Sequence, residues 1–330
     1  MSYTICLIEG DGIGHEVIPA GRTLLEAVGL DLTFVQAEAG WATFQREGTA
    51  LPQATIAAVR AADATLFGAV SSPLSRVDGY RSPIVGLRRE LDLYANLRPV
   101  RSQPLAATRA GIDMLIVREN SEGLYAGRER ATDDEAITER VITRRGSERI
   151  VRLACELALQ RRKALTIVHK ANVLRATCGL FREVAFAVTA EYPGLLVDEL
   201  LVDTAAMRLI TDPERFDVLV TTNLFGDILS DEAAALVGGL GLAPAGNIGV
   251  GAAIFEPVHG SAPDIAGQGI ANPLATFGAV AMLLQHLGEV AWAGRVERAI
   301  EQVIAAGPLT PDLGGQATTA QVTARVIACL

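Results

Sequence analysis

Two patterns of apolar residues alternate along this chain of 330 residues. Short and almost continuous apolar runs predict buried strands at residues 3–8, 64–70, 112–117, 165–169, 195–202 and 216–220. Segments in which apolar residues recur every three or four positions predict helices at residues 17–28, 147–161, 177–190, 274–287 and 291–305. Alternation of strands with helices is typical of an α/β fold with a largely parallel sheet.

The composition is that of a folded protein with no general affinity for polyanions. Half of the residues are hydrophobic, one fifth are charged, and the formal net charge is −9, which argues against disorder. No block of Lys and Arg is present to neutralise phosphates, so we expect no nucleic-acid partner. The longest run without a charge, residues 233–255, is interrupted by glycines, Pro244 and Asn247. It is predicted to be a helix end followed by a loop, and we expect no membrane span.

The cysteines and histidines indicate neither a disulfide framework nor a zinc site. The four cysteines lie far apart without a C-x-x-C motif, and the four histidines are equally scattered. This pattern favours free thiols in a reducing compartment. Met1 leads directly into the first predicted strand, so no signal peptide is predicted and a cytoplasmic protein is expected.

A glycine-rich loop follows the first strand. It contains Gly10, Gly12 and Gly14, but His15 stands where the dinucleotide-binding pattern G-x-G-x-x-G requires glycine. We interpret the loop as a tight turn with a backbone role and assign no pyrophosphate to it.

Two carboxylates lie near the start of a predicted helix, after the strand at residues 216–220. Asp227 and Asp231 are four residues apart, so on a helix both would lie on one face. They would repel each other unless a cation lay between them, and hard oxygen ligands suit Mg²⁺ or Mn²⁺. Asp203, at the end of the strand at residues 195–202, could supply a third carboxylate. The alternative is a solvated helix start, with Asp227 stabilised by the helix dipole.

Further side chains have the chemistry of a carboxylate-binding site. Arg88, Arg98 and Arg118 could converge on a ligand with two or three carboxylates, although a single Arg is more commonly a surface charge. Lys170 follows a buried strand, where desolvation or neighbouring cations would make it a useful base. Tyr125, in a predicted loop, could donate a proton among cations, or it could simply pack.

The glycine-rich segment at residues 256–272 could approach a ligand closely. Within it, Asp264 could accept hydrogen bonds from the hydroxyls of a ribose. The alternative is a loop rich in turns and without a ligand.

Taken together, these segments resemble the metal-dependent β-decarboxylating dehydrogenases, which act on isocitrate, homoisocitrate, 3-isopropylmalate or tartrate. The resemblance covers essentially the whole chain, because six motifs occur in the family's order, at residues 10–14, 96–99, 118–125, 169–172, 223–231 and 256–272. It implies an open α/β sheet in two domains without a Rossmann dinucleotide motif. Residues 1–98 and 237–330 would form the larger, cofactor-binding domain. Residues 99–236 would form a smaller, inserted domain with metal ligands and dimer contacts.

The resemblance also implies a role for each candidate residue. Lys170 would be the base at the substrate hydroxyl, and Tyr125 the acid that protonates the enol carbon. Mg²⁺ or Mn²⁺ would be bound by Asp203, Asp227 and Asp231. The other substrate contacts would be Ser72, Val85, Arg88, Arg98, Arg118 and Asn172. NAD would be bound by Asn172, His259, Gly260, Ser261, Ala262, Asp264, Ile265 and Asn272. In the family, the equivalents of Lys170 and Asp203 come from the partner subunit, which implies a homodimer or a higher oligomer.

The residues of two segments bear on the identity of the substrate. Asn120 and Glu122 resemble the isocitrate, homoisocitrate and tartrate branch. The resemblance is greatest to homoisocitrate dehydrogenases, which convert homoisocitrate to 2-oxoadipate in lysine biosynthesis. Ile84 and Val85 are instead apolar, as the isopropyl group of 3-isopropylmalate prefers, unless Arg81 meets a distal carboxylate. 3-Isopropylmalate and isocitrate remain alternative substrates, and a non-catalytic subunit of the same fold and a metal-dependent hydrolase remain alternative functions.

Overall fold

The computed structural model describes residues 2–73, 75, 77–105 and 108–330. In chain order the strands are β1 (Ser2–Gly10), β2 (Asp31–Ala37), β3 (Ala64–Ala69), β4 (Ala95–Arg101), β5 (Asp113–Glu119), β6 (Gly123–Ala131), β7 (Ala136–Val141), β8 (Ala164–His169), β9 (Leu196–Leu201), β10 (Val218–Thr221), β11 (Pro244–Ile248) and β12 (Ala253–Pro257). The α-helices are α1 (Gly14–Val28), α2 (Trp41–Glu47), α3 (Gln53–Ala61), α4 (Pro83–Glu90), α5 (Arg144–Leu159), α6 (Thr177–Thr189), α7 (Val202–Thr211), α8 (Asn223–Ala235), α9 (Leu274–His286), α10 (Val290–Ala306) and α11 (Thr319–Ile327).

Contacts within the chain divide it into two compact units. Unit 1 comprises Met1–Leu93, Gln103–Thr108 and Gly238–Leu330, and unit 2 comprises Tyr94–Ser102 and Arg109–Val237. The predicted boundary between residues 98 and 99 falls inside β4, whereas the whole of that strand belongs to unit 2. The chain passes from unit 1 into β4 without a linker. No change in amino-acid composition therefore marks the boundary in the sequence.

Unit 1 is built on a sheet in the order β2–β1–β3–β12–β11. β1 pairs in parallel with β2 and β3, β3 pairs in parallel with β12, and β12 pairs antiparallel with β11. Successive residues of β1 alternate between two faces. Ile5 and Leu7 belong to a core that includes α1, α9, α10 and α11, whereas Cys6 and Ile8 belong to a core that includes α3 and α4.

Unit 2 is built on a sheet in the order β4–β5–β10–β8–β9, in which only the β4–β5 pair is antiparallel. β6 and β7 form a separate antiparallel hairpin. α7 and α8 pack on one apolar core with Ile116, Leu219 and Val168 of the central strands. Because β5, β10 and β8 are parallel, their carboxyl ends meet at one edge, where α/β proteins commonly bind ligands.

The strongly periodic segments are confirmed as elements of the predicted type, whereas three local predictions were wrong. Val202 begins α7 and does not end a strand. Tyr125 lies on β6 and not in a loop. Residues 233–255 contain β11 and most of β12 after the end of α8. Gly246 serves close packing in β11, since a Cβ there would lie 3.1 Å from the Phe255 ring.

The predicted free thiols are confirmed. Cys6, Cys155 and Cys178 are buried and Cys329 is partly exposed, and none forms a disulfide. Burial raises the pKa of the Cys6 and Cys155 thiols to about 11 in each case. Among the described residues, no helix has the length and apolar character needed to cross a membrane.

Candidate active site

The two carboxylates predicted to share one helix face do so in α8. β10 leads into α8 through a single residue, which places Asp227 and Asp231 one turn apart near the carboxyl edge of the unit 2 sheet. Gly226 makes this possible, because a Cβ there would lie 2.7 Å from both Cβ and Cγ of Arg118. The missing side chain therefore lets Arg118 pass directly against the first turn of α8.

Three side chains from β4, β5 and β6 converge on these carboxylates. Arg98 donates through Nη1 to Asp231 Oδ1 at 2.9 Å and through Nη2 to Asp227 Oδ1 at 3.4 Å. Arg118 forms an ion pair with Asp227 Oδ1. Tyr125 donates its hydroxyl to Asp227 Oδ2 at 2.5 Å. The structure thus brings five of the predicted site residues into one polar cluster within unit 2.

Both arginines are held by neutral side chains that sequence reasoning did not single out. The Arg118 side chain is only 1% exposed, and its Nε and Nη2 donate to Asn223 Oδ1 at 3.0 and 2.7 Å. Arg98 donates through Nε to Asn96 Oδ1 and through Nη1 to Ser230 Oγ, each at 2.8 Å. Fixed neighbours of this kind preorganise a guanidinium group for its ligand.

The phenol of Tyr125 is held in its protonated form. Burial raises its pKa, and the hydrogen bond to Asp227 and the charge of that carboxylate raise it further, whereas Arg118 lowers it. The net effect is a raised pKa for Tyr125. At neutral pH the group therefore carries a proton that it can donate.

The carboxylates of α8 suit a divalent cation. They supply hard oxygens one turn apart, which Mg²⁺ and Mn²⁺ prefer, and Asp231 has 52% of its side chain exposed. In this structure Arg98 and Arg118 provide the positive charge that the pair requires. Within residues 2–73, 75, 77–105 and 108–330, no three His, Cys, Asp or Glu side chains form a group that could hold a metal.

Lys170 and Asp203 form a second group in unit 2. Lys170 Nζ lies 2.7 Å from Asp203 Oδ1, with 23% and 64% of the two side chains exposed. The hydrogen bond from Lys170 is the largest cause of a lowered pKa for Asp203. Lys170 follows β8 as predicted, and Asp203 lies in the first turn of α7. Asn172, just beyond Lys170, is exposed.

The strand end that carries Lys170 is fixed by His169. Its Nδ1 accepts a hydrogen bond from the backbone N–H of Ala171 at 3.1 Å, and its Nε2 lies 2.9 Å from Glu199 Oε2. A ring whose Nδ1 accepts a hydrogen bond carries its proton on Nε2, directed here at Glu199. Hydrogen bonds from Arg182 and then from His169 lower the pKa of Glu199 to about 2. This network holds the turn at Lys170.

In unit 1, the predicted substrate residue Arg88 is bound by two polar side chains. Its Nε donates to Asn247 Oδ1 at 3.0 Å, and its Nη2 donates to Glu256 Oε1 at 3.3 Å. Asn247 Nδ2 also donates to Glu256 Oε1, at 2.7 Å. Neither Asn247 nor Glu256 was predicted as a site residue. The feature of the sequence that could have identified them is that each is a polar residue within an otherwise apolar strand.

The residues predicted to meet the variable arm of the substrate differ in their surroundings. Val85 lies one turn before Arg88 and on the same face of α4. Ile84 lies four residues before Arg88 and also packs against the core that includes α3 and α4. Ser72 and Arg81 are exposed. Both apolar residues are therefore neighbours of Arg88 on the surface of α4.

The predicted backbone role of the first glycine loop is confirmed. The backbone oxygen of Ser261 accepts a hydrogen bond from Ile13 N at 2.9 Å. A Cβ at Gly12 would lie 2.0 Å from that same oxygen, and Gly12 has a positive φ of 56°. The loop at residues 10–15 thus packs against the segment predicted to bind the cofactor, and Ser261 is further held by a 2.8 Å hydrogen bond from Ser71.

The segment after β12 offers groups that a nucleotide could use. His259 Nδ1 lies 3.0 Å from the backbone oxygen of Gly260, and burial lowers the pKa of the ring. Among the described residues its buried Nε2 has no hydrogen-bond partner, which is a feature expected of a ligand contact. Asp264 is exposed, while Ala262 and Ile265 pack against the unit 1 core. These residues fit the predicted NAD site.

Asn272 is fixed at both ends of its amide. Its Nδ2 donates to Asp312 Oδ2 at 2.8 Å, and its Oδ1 accepts from Leu274 N at 3.0 Å, at the start of α9. Asp312 was not predicted, because nothing in the sequence around it shows that it lies beside Asn272.

Glu122, predicted to mark the substrate branch, is engaged in joining β6 to α5. Its carboxylate accepts from the backbone N–H of Thr143 at 2.8 Å and from the Thr143 hydroxyl. A Cβ at Gly146 would lie 2.5 Å from the Glu122 carboxylate. The residue types at positions 122 and 146 therefore reflect how this junction is built.

The chain is similar to known proteins over its whole length. The family described as isocitrate/isopropylmalate dehydrogenase matches residues 4–326. The isocitrate/homoisocitrate dehydrogenase of Thermus thermophilus is 57% identical over 331 residues, which cover 100% of this chain and 99% of the relative. The 3-isopropylmalate dehydrogenase of Methanothermobacter thermautotrophicus is 49% identical over 327 residues, 98% of each chain. The crystal structure of isocitrate dehydrogenase from Methylococcus capsulatus matches with a TM-score of 0.95 at 46% identity over 99% of both chains. These similarities confirm the predicted fold class.

Proposed function

Because this chain belongs to the isocitrate/isopropylmalate dehydrogenase family, a family of decarboxylating dehydrogenases, we propose that it oxidises and decarboxylates a 3-substituted malate with NAD⁺. The observation that carries the proposal is the convergence of Arg98, Arg118 and Tyr125 on Asp227 at the start of α8. It joins cationic groups for carboxylates, a protonated phenol and hard oxygen ligands in one cluster.

We propose homoisocitrate as the preferred substrate, with 2-oxoadipate as the product, and isocitrate as a second substrate. The name of the Thermus thermophilus relative supports both. 3-Isopropylmalate is the alternative, supported by the name of the methanogen relative and by Val85 on the face of α4 that carries Arg88. Arg81, which is exposed, is our candidate partner for a distal carboxylate.

In this proposal each charged residue has a defined task. Arg88, Arg98 and Arg118 bind the carboxylates of the malate through paired hydrogen bonds. Lys170 takes the proton of the C2 hydroxyl while hydride leaves C2, and the bond from C3 to its carboxylate then breaks to release CO₂. Tyr125 donates its proton to C3. When bound, Mg²⁺ or Mn²⁺ at the aspartates supplies a Lewis acid, and the nicotinamide supplies a hydride acceptor.

We propose that the active unit is a homodimer in which Lys170 and Asp203 serve the partner's site. The pairing of these two residues with each other, and the absence of a third acidic ligand beside Asp227 and Asp231 in the described part of the chain, support this.

The test is the rate of NADH formation with (R)-homoisocitrate, isocitrate and 3-isopropylmalate under one set of conditions. We expect the first two to lead in kcat/KM. A lead of tenfold or more for 3-isopropylmalate, about 1.4 kcal/mol of transition-state binding, would reverse the substrate assignment. No NADH with any of the three would remove the proposed activity.

Metal dependence is tested separately from turnover. EDTA should abolish NADH formation, and Mg²⁺ or Mn²⁺ should restore it. Mn²⁺ binding followed by electron paramagnetic resonance should weaken in Asp231→Asn, because a charged ligand is lost while the helix is kept. Unchanged Mn²⁺ binding in this variant would remove Asp231 from the proposed ligand set.

A further inference from the structure

We infer that Glu256, together with Asn247, is a positioning residue that sets the direction of the Arg88 guanidinium. The inference rests on the proposed function, because it takes Arg88 to be a substrate contact.

The three side chains form a closed ring of hydrogen bonds inside unit 1. Arg88 donates from Nε to Asn247 Oδ1 at 3.0 Å and from Nη2 to Glu256 Oε1 at 3.3 Å. The ring closes through Asn247 Nδ2, which donates to the same Oε1 at 2.7 Å. Asn247 is completely buried, and the side chains of Arg88 and Glu256 are only 10% and 12% exposed. Groups held this way have little freedom to reorient.

The ring uses one particular edge of the guanidinium. A guanidinium has five N–H donors in a planar fork, and the edge formed by Nε and Nη2 is the one bound to Asn247 and Glu256. A carboxylate that binds Arg88 through two parallel hydrogen bonds is therefore met by the other edge, formed by Nη1 and the second proton of Nη2. The ring thereby fixes the direction from which the substrate is bound.

The ring also joins three elements that carry predicted site residues. Arg88 stands on α4 with Val85, Asn247 lies on β11, and Glu256 lies on β12, three residues before His259. A displacement of Glu256 would therefore reach Arg88 directly. A buried ion pair can equally be a purely structural feature, so the test has to separate positioning from stability.

The experiment is a double-mutant cycle with Glu256→Ala and Arg88→Ala, together with Glu256→Gln. For each variant we would measure kcat, KM for the preferred malate at saturating NAD⁺, and the midpoint of thermal unfolding. Glu256→Ala should raise the malate KM by about 10- to 100-fold, because Arg88 loses a charge-assisted hydrogen bond, with a smaller change in kcat. Glu256→Gln keeps an oxygen acceptor, so its malate KM should stay close to that of the wild type.

In the Arg88→Ala background, Glu256→Ala should change the malate KM by less than about twofold, since its effect acts through the missing guanidinium. The inference would be overturned if Glu256→Ala raised the malate KM by the same factor with and without Arg88, or if it left the KM of the wild type unchanged. Either result would count even if the two substitutions had coupled effects on the unfolding midpoint. If Glu256→Ala does not fold, Asn247→Ser in the same two backgrounds makes the same comparison. A wild type that oxidises no 3-substituted malate removes the proposed function and this inference together. An active wild type with multiplying effects removes the inference alone.

Discussion

At the scale of single residues, both carboxylate oxygens of Asp227 are bound by other candidate site residues. Its Oδ1 accepts from Arg98 and Arg118, and its Oδ2 accepts from the Tyr125 hydroxyl. The hydrogen bond to Asp227 and the charge of that carboxylate raise the pKa of the phenol, whereas Arg118 lowers it. The acid and the proposed metal ligand are therefore coupled, and a change in one alters the other.

Tyr125→Phe should separate oxidation from the final proton transfer. The variant should still reduce NAD⁺ slowly, but decarboxylation of the 2-oxo intermediate supplied from outside should fall by roughly 10²- to 10⁴-fold, because the proton donor is lost. The measurement is product formation from that intermediate, with Tyr192→Phe as the control for loss of a phenol elsewhere. A normal decarboxylation rate in Tyr125→Phe would remove this residue as the acid.

Asp264 and Ile265 should determine the choice between NAD⁺ and NADP⁺. In the proposed cofactor site, Asp264 would place a negative charge beside a ribose 2′-phosphate, and Ile265 would offer no hydrogen-bond donor. Because Asp264 is exposed, we expect a preference for NAD⁺ of about tenfold or more in kcat/KM. Asp264→Lys with Ile265→Tyr should reverse it at least in part. Equal efficiency of the wild type with both cofactors would contradict the ribose role of Asp264.

The sequence identified the charged residues of the cluster better than the neutral ones that hold them. Arg98, Arg118 and Asp227 lie in motifs that could be identified by their resemblance to the β-decarboxylating dehydrogenases. Asn96 and Arg118 are opposite each other in the β4–β5 pair, yet the register of two antiparallel strands is set by tertiary packing. Hydrogen-bond partners from separate elements, such as Asn223 of α8 for Arg118 of β5, could therefore be assigned only once the fold was known.

At the scale of elements, the end of β8 depends on its neighbours α6 and β9. Arg182 on α6 and His169 on β8 both contact Glu199 on β9. Together they place the turn that carries Lys170. β8 and β9 were predicted from their largely apolar sequences, but this junction joins residues from three separate elements. The same limit applies to α7, whose start at Val202 follows β9 without a break and so leaves no signal in the apolar pattern.

Acidification should weaken this junction. The folded-state pKa of Glu199 is depressed from 4.5 to about 2, so its contribution to stability is present above about pH 4.5 and is lost as the pH falls towards 2. Glu199→Gln should therefore unfold at a lower temperature at pH 7 and show a shallower pH dependence between 4.5 and 2 than the wild type. Glu135→Gln, in the exposed β6–β7 turn, is the control. Parallel curves for Glu199→Gln and wild type would contradict the assignment.

At the scale of the whole molecule, unit 2 leaves large apolar side chains in solvent. Met207 and Ile210 on α7 are each 52% exposed, and Ile228 on α8 is 58% exposed. α7 also carries Asp203, and α8 carries the paired carboxylates. A second copy of the chain that covered these helices would bury the apolar side chains and approach both groups.

Ile228→Asp should therefore produce a monomer with little activity, because a buried charge opposes association. Light scattering after size exclusion gives the mass, and NADH formation gives the activity. Val290→Asp replaces an apolar residue that is 63% exposed in unit 1 and should leave the mass and the rate unchanged. A fully active dimer of Ile228→Asp would contradict the proposed interface.

The placement of the thiols gives the protein an internal reporter of its own unfolding. Thiol reagents attack the thiolate, and Cys6, Cys155 and Cys178 are sealed in the interior, whereas Cys329 is partly exposed near the carboxyl end. In the native state a chromogenic disulfide reagent should therefore label Cys329 first. The other three should become reactive only when the chain opens around them. Because these three are distributed over both units, the order in which they are labelled in mild denaturant would show which unit opens first.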